Sequence, residues 1–223
     1  MPIKIMNKVK QNLLKSNQEI LVSFGVALIC LFSSFAFPSE NSAQMITKNI
    51  FFLILLPIAY VKLILGKKLA DFGWNLKNPK LALLWSINMT LFTLLLFYLM
   101  LNYSQFKSDY VLENYIKNSF WLFLTYELII VNFTSFIFTA FFQGFLLSLF
   151  QKKFEYLSLA ISTGTFLMVL LLTKSLSWQT APFILLSITG GFLTLKTKSF
   201  FYSYFMSIFA IIILDAYFIY LTK

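Results

Sequence analysis

Seven long apolar runs divide this chain and leave it little choice of solvent. A helix rises 1.5 Å per residue, so about 20 apolar residues cross a hydrocarbon core roughly 30 Å thick. Runs near that length lie at 20–37, 49–65, 81–101, 119–150, 156–173, 178–195 and 199–221. Hydrophobic residues make up 59% of the chain and charged ones 12%. Ordinary soluble domains carry roughly 45–50% and about 25%. Within lipid the backbone must satisfy its own hydrogen bonds, which favours helices. The expectation is an all-α polytopic membrane bundle of about seven transmembrane helices, with residues 1–223 forming one membrane domain. The fourth run, 119–150, is too long for one upright helix and predicts a tilt, a kink or a projection beyond the bilayer.

Lysines set the expected orientation. All 18 basic residues are lysines. The residues before the first run carry Lys4, Lys8, Lys10 and Lys15, and the second connection carries Lys67, Lys68, Lys77 and Lys80, with Lys62 just before it. Lys152 and Lys153 follow the fourth run, and Lys196 and Lys198 follow the sixth. Only Lys48, Lys107, Lys117, Lys174 and Lys223 fall on the other side. The positive-inside bias therefore predicts a cytoplasmic N-terminus, with 1–19 as a lysine-rich tail. The first run is as long as a true span, and Phe37-Pro38-Ser39-Glu40 is no small-residue cleavage site. A retained anchor is expected rather than a cleaved signal. A net charge of +10 would suggest nucleic acid in a soluble chain. Here the lysines lie between apolar spans, so the lipid bilayer is the expected partner and nucleic acid is not. An integral protein of a bacterial cytoplasmic (inner) membrane is expected.

The chain has no histidine and no arginine. AT-rich coding would account for lysine in place of arginine and for 28 phenylalanines, but less readily for the missing histidine. Any chemistry must proceed without imidazole or guanidinium. Cys30 is alone in an apolar run and reads as a buried thiol. No CxxC, HExxH, phosphate-binding glycine loop or GxSxG occurs. No metal and no cofactor is expected.

Two connections stand out. Residues 66–80 (GKKLADFGWNLKNPK) hold Gly66, Gly73, Asn78 and Pro79 and read as turns, with Phe72 and Trp74 at the cytoplasmic interface. Residues 102–118 mix aromatic and charged side chains and read as an interfacial helix or a polar loop on the outer face.

Gln143–Phe154 reads QGFLLSLFQKKF, and Leu195-Lys196-Thr197-Lys198-Ser199 forms a later basic turn. Over 138–215 this order resembles the protease-like core of the CAAX-type intramembrane protease family, also called Abi or CPBP. That family shows two glutamates, three residues, then Arg-Gly-Phe-Leu-Leu and a basic turn. A Phe-x-x-x-His and a His-x-x-x-Asn motif follow. FGWNLKNPK also resembles the segment before a span in many members. The resemblance puts the glutamates at Phe138 and Thr139, the arginine at Gln143, and the first histidine at Leu170, after Phe166. It puts the last motif at Ser207 and Ile211. Every position to which it assigns chemistry is changed, so no catalytic residue is expected there.

Family members are thought to activate water with a glutamate and to stabilise the oxyanion with histidine and asparagine. A general base must titrate within hydrogen-bond reach of its water. Thr139 cannot do so, and Phe138 and Leu170 offer neither donor nor acceptor. Glu127 and Asp215 are the acids well inside predicted spans. Glu127 lies about 16 Å along the helix from Phe138, and Asp215 about 12 Å from Ser207. Neither replaces the lost site directly. Both are candidate intramembrane acids, with a structural alternative: a carboxylate near the outer interface that snorkels or bonds to Asn132 or a tyrosine. Thr139 with Gln143, and Ser203 with Ser207, are four apart and predict neutral polar helix contacts. The site positions then read as a retired active site, now a helix contact or a binding groove.

Three functions follow. The first is a non-catalytic CPBP-like protein, a pseudoenzyme that binds another integral membrane protein or a lipid-linked peptide and supports its assembly, delivery or regulation. The second is an active intramembrane endopeptidase with a rearranged site that uses Glu127 and Asp215. The third is a channel or transporter subunit, for which Pro57, Pro182, Gly190 and Gly191 would mark broken helices.

Overall fold

The computed structural model describes the backbone of residues 2–77 and 79–222, and side chains from Asn17 onward except Asn78, Ser104, Asn114 and Lys223. The expected turn at Asn78, Lys223 and the side chains of the first four lysines lie outside the described residues. Among the described residues the chain is helical, without strands.

Helix α1 (Pro2–Ala36) contains the lysine-rich tail and the first span without a break. Asn41 caps α2 (Ser42–Ile64) by accepting from the Gln44 amide at 2.9 Å. Helix α3 spans Pro79–Leu101. Short helices α4 (Ser104–Asp109) and α5 (Asn114–Asn118) follow. The long helix α6 (Phe120–Phe154) leads to α7 (Leu157–Leu172), α8 (Ala181–Thr197) and α9 (Phe200–Thr222).

Six of these helices are long and apolar enough to cross a membrane: Asn17–Ala36 within α1, then α2, α3, α6, Trp178–Thr197 around α8, and α9. The expected span at 156–173 is shorter. Helix α7 has 16 residues, about 24 Å of rise. Turns consume its ends: Glu155 and Lys174 adopt left-handed backbone conformations at φ 43° and 54°. The count is therefore six, with a short apolar helix between the fourth and fifth spans.

Helix α6 is the axis of the bundle. It runs 35 residues, about 52 Å, which explains its over-long apolar run. Wider π-helical turns occupy Tyr126–Val131 and Thr139–Leu146. A π turn adds a residue to the helical circuit and re-aims the side chains that follow. Every side chain from Thr139 to Leu146 is buried. On one side of α6, residues from α1, α2 and α7 form a core around Phe141, Phe145, Leu146 and Phe166. On the other, α3, the 102–118 segment, α8 and α9 form a second core around Phe97, Leu186, Leu193 and Leu214.

Phe72 and Trp74, expected at the cytoplasmic interface, are packed against the bundle rather than left on its surface. They wedge into the bundle. Phe72 stacks on Phe145 with centroids 5.9 Å apart, and Trp74 meets Phe200 edge-on at 5.0 Å. Gly73 lets the chain turn inward, so both rings find aromatic partners. Gly73 sits at φ 81°, and its carbonyl accepts from the Phe200 amide at 3.3 Å. A Cβ there would lie 3.2 Å from that amide nitrogen. The wedge is tied down by Asn75, whose amide donates to the carbonyls of Ala70 and Lys198, both at 2.9 Å. The 102–118 segment is neither a free loop nor a lipid-lying helix: Phe106, Tyr110, Leu112 and Ile116 are buried against the bundle.

Gly73→Val should lower unfolding stability in detergent by about 1–3 kcal/mol, from left-handed strain plus overpacking. Gly25→Ala on α1 meets open space and should leave the thermal midpoint unchanged or slightly raised.

Candidate functional site

The six positions marked by the resemblance are filled by packing and neutral hydrogen bonds. Phe138 is half-buried and meets Phe166 edge-on at 4.7 Å and Phe142 at 5.1 Å. Leu170 belongs to the same core. Ile211 packs in the second core with Leu186. Thr139 donates to the Ser135 carbonyl of its own helix at 2.7 Å. Gln143, 1% exposed, donates across to the Leu186 carbonyl of α8 at 3.1 Å, while its Oε1 has no partner. The expected Thr139–Gln143 pair therefore does not form; each side chain finds a backbone carbonyl instead. Ser203 of α9 donates to the Gly190 carbonyl at 2.6 Å and pairs with Thr194 at 2.6 Å. Ser207, one turn on, is buried without a partner.

Gly190 is where these groups converge. A Cβ on it would lie 2.7 Å from the Gln143 amide nitrogen. One on Gly191 would lie 2.4 Å from Leu159 Cδ1. Helix α8 runs unbroken through Pro182, Gly190 and Gly191. The glycines serve close approach, not a helix break, which removes the transporter-like feature expected there. The same contact region includes Ser162, which donates to the Phe142 carbonyl at 2.7 Å, and the Thr163–Ser187 pair at 3.1 Å. Four helices are thus joined by neutral hydrogen bonds. Sequence reasoning missed Ser162, Thr163, Ser187 and Thr194; the small residues at Ser187, Gly190, Gly191 and Thr194 were the available signal.

The second constellation was legible only as separate parts. Glu127 and Asp215 are 1% and 2% exposed. They face one another across the α6–α9 contact. Their carboxyl groups approach without a well-directed hydrogen bond, and Glu127 has no other partner. Tyr110, from the 102–118 segment, donates to Asp215. Burial first, and then the Asp215 carboxyl, push the Tyr110 hydroxyl well above its ordinary titration range. It is therefore a proton donor across the physiological range. Asn132 does not serve Glu127; it accepts from Tyr204 instead. Lys117 does not pair with either acid; it lies over the Phe218 ring, 5.4 Å from its centroid. Both acids are buried in the bundle, and Asp215 accepts from Tyr110 of the 102–118 segment.

The chemistry of the two constellations differs. The first offers no base: Thr139 and the Gln143 amide nitrogen are spent on helix contacts, and the Gln143 Oε1 and Ser207 hydroxyl are buried without partners. The second offers two neighbouring buried carboxyls, one of them hydrogen-bonded to a tyrosine. No group of three or more His, Cys, Asp or Glu side chains suited to a metal occurs among the described residues. Among known proteins, no family model, no curated protein and no solved structure matches this chain.

The Gln143–Gly190 contact can be tested by a double-mutant cycle. Gly190→Ala should destabilise the protein by about 1–3 kcal/mol through overpacking. Adding Gln143→Ala should recover at least about 0.5 kcal/mol of that loss, read as unfolding in detergent.

Proposed function

We propose that the chain is a non-catalytic integral membrane protein that binds a transmembrane helix of another membrane protein and supports its assembly, delivery or regulation. The observation that carries this reading is the closure of the family-site positions. Phe138, Thr139, Gln143, Leu170, Ser207 and Ile211 are committed to packing or neutral contacts, and no base stands among them. A protease-like scaffold without a base retains its shape for binding. The surface between α3 and α9 suits a helix. It is an open groove of about 810 Å³ lined by Leu83, Ile87, Thr90, Leu94, Phe205 and Phe209. Ser86 borders it with a buried hydroxyl that has no partner. Ser86 and Thr90 are small polar residues of the kind at which membrane helices approach one another closely. The lysine-rich face supports a bacterial cytoplasmic membrane as the setting.

The test is affinity purification in mild detergent of the parent, of Thr90→Trp in the groove and of Leu63→Trp on the exposed face of α2. A partner present with the parent and Leu63→Trp but lost with Thr90→Trp is expected. A lone chain from native expression, or equal recovery by all three, rejects the reading.

One observation favours a second reading, an intramembrane endopeptidase: Glu127 and Asp215 come together. In such a site one carboxyl takes a proton from water while the other protonates the substrate carbonyl oxygen. The 102–118 segment would have to lift to admit both. Replacing both acids by their amides should then abolish cleavage of membrane substrates. A double-amide strain indistinguishable from the parent in its membrane peptide profile eliminates this reading.

A further inference from the structure

The lysine-rich end of the bundle holds a cavity of about 340 Å³ that neither reading uses. Its polar lining is Gln151, Lys152, Glu155, Tyr156, Lys196 and Lys198. Two chain reversals build it, one between α6 and α7 and one between α8 and α9. Each carries a non-glycine residue in the left-handed region, Glu155 at φ 43° and Lys198 at φ 56°. Such residues persist where surrounding contacts hold them. At Lys198 the contacts are clear: its carbonyl accepts from Asn75 at 2.9 Å, and the next residue, Ser199, donates to the Asn75 carbonyl. Gln151 spans the two reversals by donating to the Leu195 carbonyl at 3.4 Å.

Lys196 is fixed in the same way. Its ammonium donates to the Tyr156 hydroxyl at 2.8 Å. It also lies 5.1, 5.3 and 5.6 Å from the ring centroids of Tyr156, Phe192 and Trp85. Cation–π contact holds a cation without neutralising it. Among the described residues, none of Lys152, Lys196 and Lys198 has a carboxylate within ion-pair distance. Glu155 is the one acidic residue of the lining, against three lysines. Lysines in the last turns of α6 and α8 are expected from the helix dipole alone. That explains Lys152 and Lys196, but not Lys198, which lies beyond its helix end, nor the aromatic cage that pins Lys196.

We propose that this cavity binds a phosphate group, presented as the headgroup of an anionic phospholipid of the facing leaflet. The pinned ammonium of Lys196 keeps two free N–H donors, and Lys152 and Lys198 supply mobile ones. Apolar surface for the attached chains adjoins the site. Leu157 opens α7 next to Tyr156, and Leu84 precedes Trp85 on α3; both are well exposed. Trp85 and Tyr156 have the amphipathic character suited to headgroup level.

The test is native mass spectrometry of the full chain in a neutral detergent, titrated with phosphatidylglycerol, with phosphatidylcholine and with inorganic phosphate. Phosphatidylglycerol should be retained over phosphatidylcholine. Lys196→Gln/Lys198→Gln should weaken its binding about tenfold, a few-fold per lysine. The control Lys68→Gln/Lys77→Gln removes the same charge elsewhere on that face and should change nothing. Lys152→Gln/Lys198→Gln leaves the aromatic cage intact and carries the test if loss of Lys196 disturbs folding. Retention of inorganic phosphate, lost in the same variants, upholds the site and assigns it a soluble source. Equal retention of the two lipids, or equal weakening by the site and control variants, overturns the proposal.

Discussion

The close approach of α8 to α6, made at Gly190, is the constraint on which the bundle depends. Lipid tails are as apolar as leucine, so membrane helices gain little from hiding hydrophobic surface from lipid. They associate by fitting closely and by exchanging hydrogen bonds. Gly190 allows the Gln143 side chain to lie directly on α8, and the same glycine's carbonyl receives Ser203 from α9. Ser162 and the Thr163–Ser187 pair bring α7 into the same layer. These bonds are neutral, which spares the cost of burying a charge. The phenylalanine-rich cores on either side then fill the space this layer defines.

The arrangement needs neither histidine nor arginine at its centre. A buried ion pair in place of Gln143 would need fixed counter-groups to offset its desolvation. A single amide needs one carbonyl, and Leu186 supplies it. Polarity remains at the centre of the bundle, but as a fastening. Buried carboxyl groups lie instead at Glu127 and Asp215, the latter held by Tyr110 of the 102–118 segment.

Apolar runs made the helical architecture readable, because span length follows from bilayer thickness. The short helix α7 was over-read: its apolar run, 156–173, begins with residues that the structure spends on the turn at Glu155 and ends in another at Lys174. The residue types of Phe72 and Trp74 suggest an interface, but composition does not reveal the inward turn that Gly73 permits or the partners it brings them. Glu127 and Asp215 were found one by one, but their pairing depends on two helices 88 residues apart meeting in register. Nor does spacing reveal that Tyr110, from a connection, would reach Asp215. Gly190 and Gly191 carried a signal that pointed two ways, toward a broken helix or a close contact, and only the packing decides between them.

The aromatic wedge at Phe72–Trp74 also orders events in time. Its seat is made of Phe145, Gly144 and Phe200, and its carbonyl at Gly73 waits for the Phe200 amide. Phe200 opens the last helix, so the wedge emerges from the ribosome long before its seat is complete. Until α9 enters the bilayer, Phe72 can stack on Phe145 of α6, but Trp74 and the Gly73 carbonyl lack their Phe200 partner. Helix α9 therefore completes the seat of the wedge.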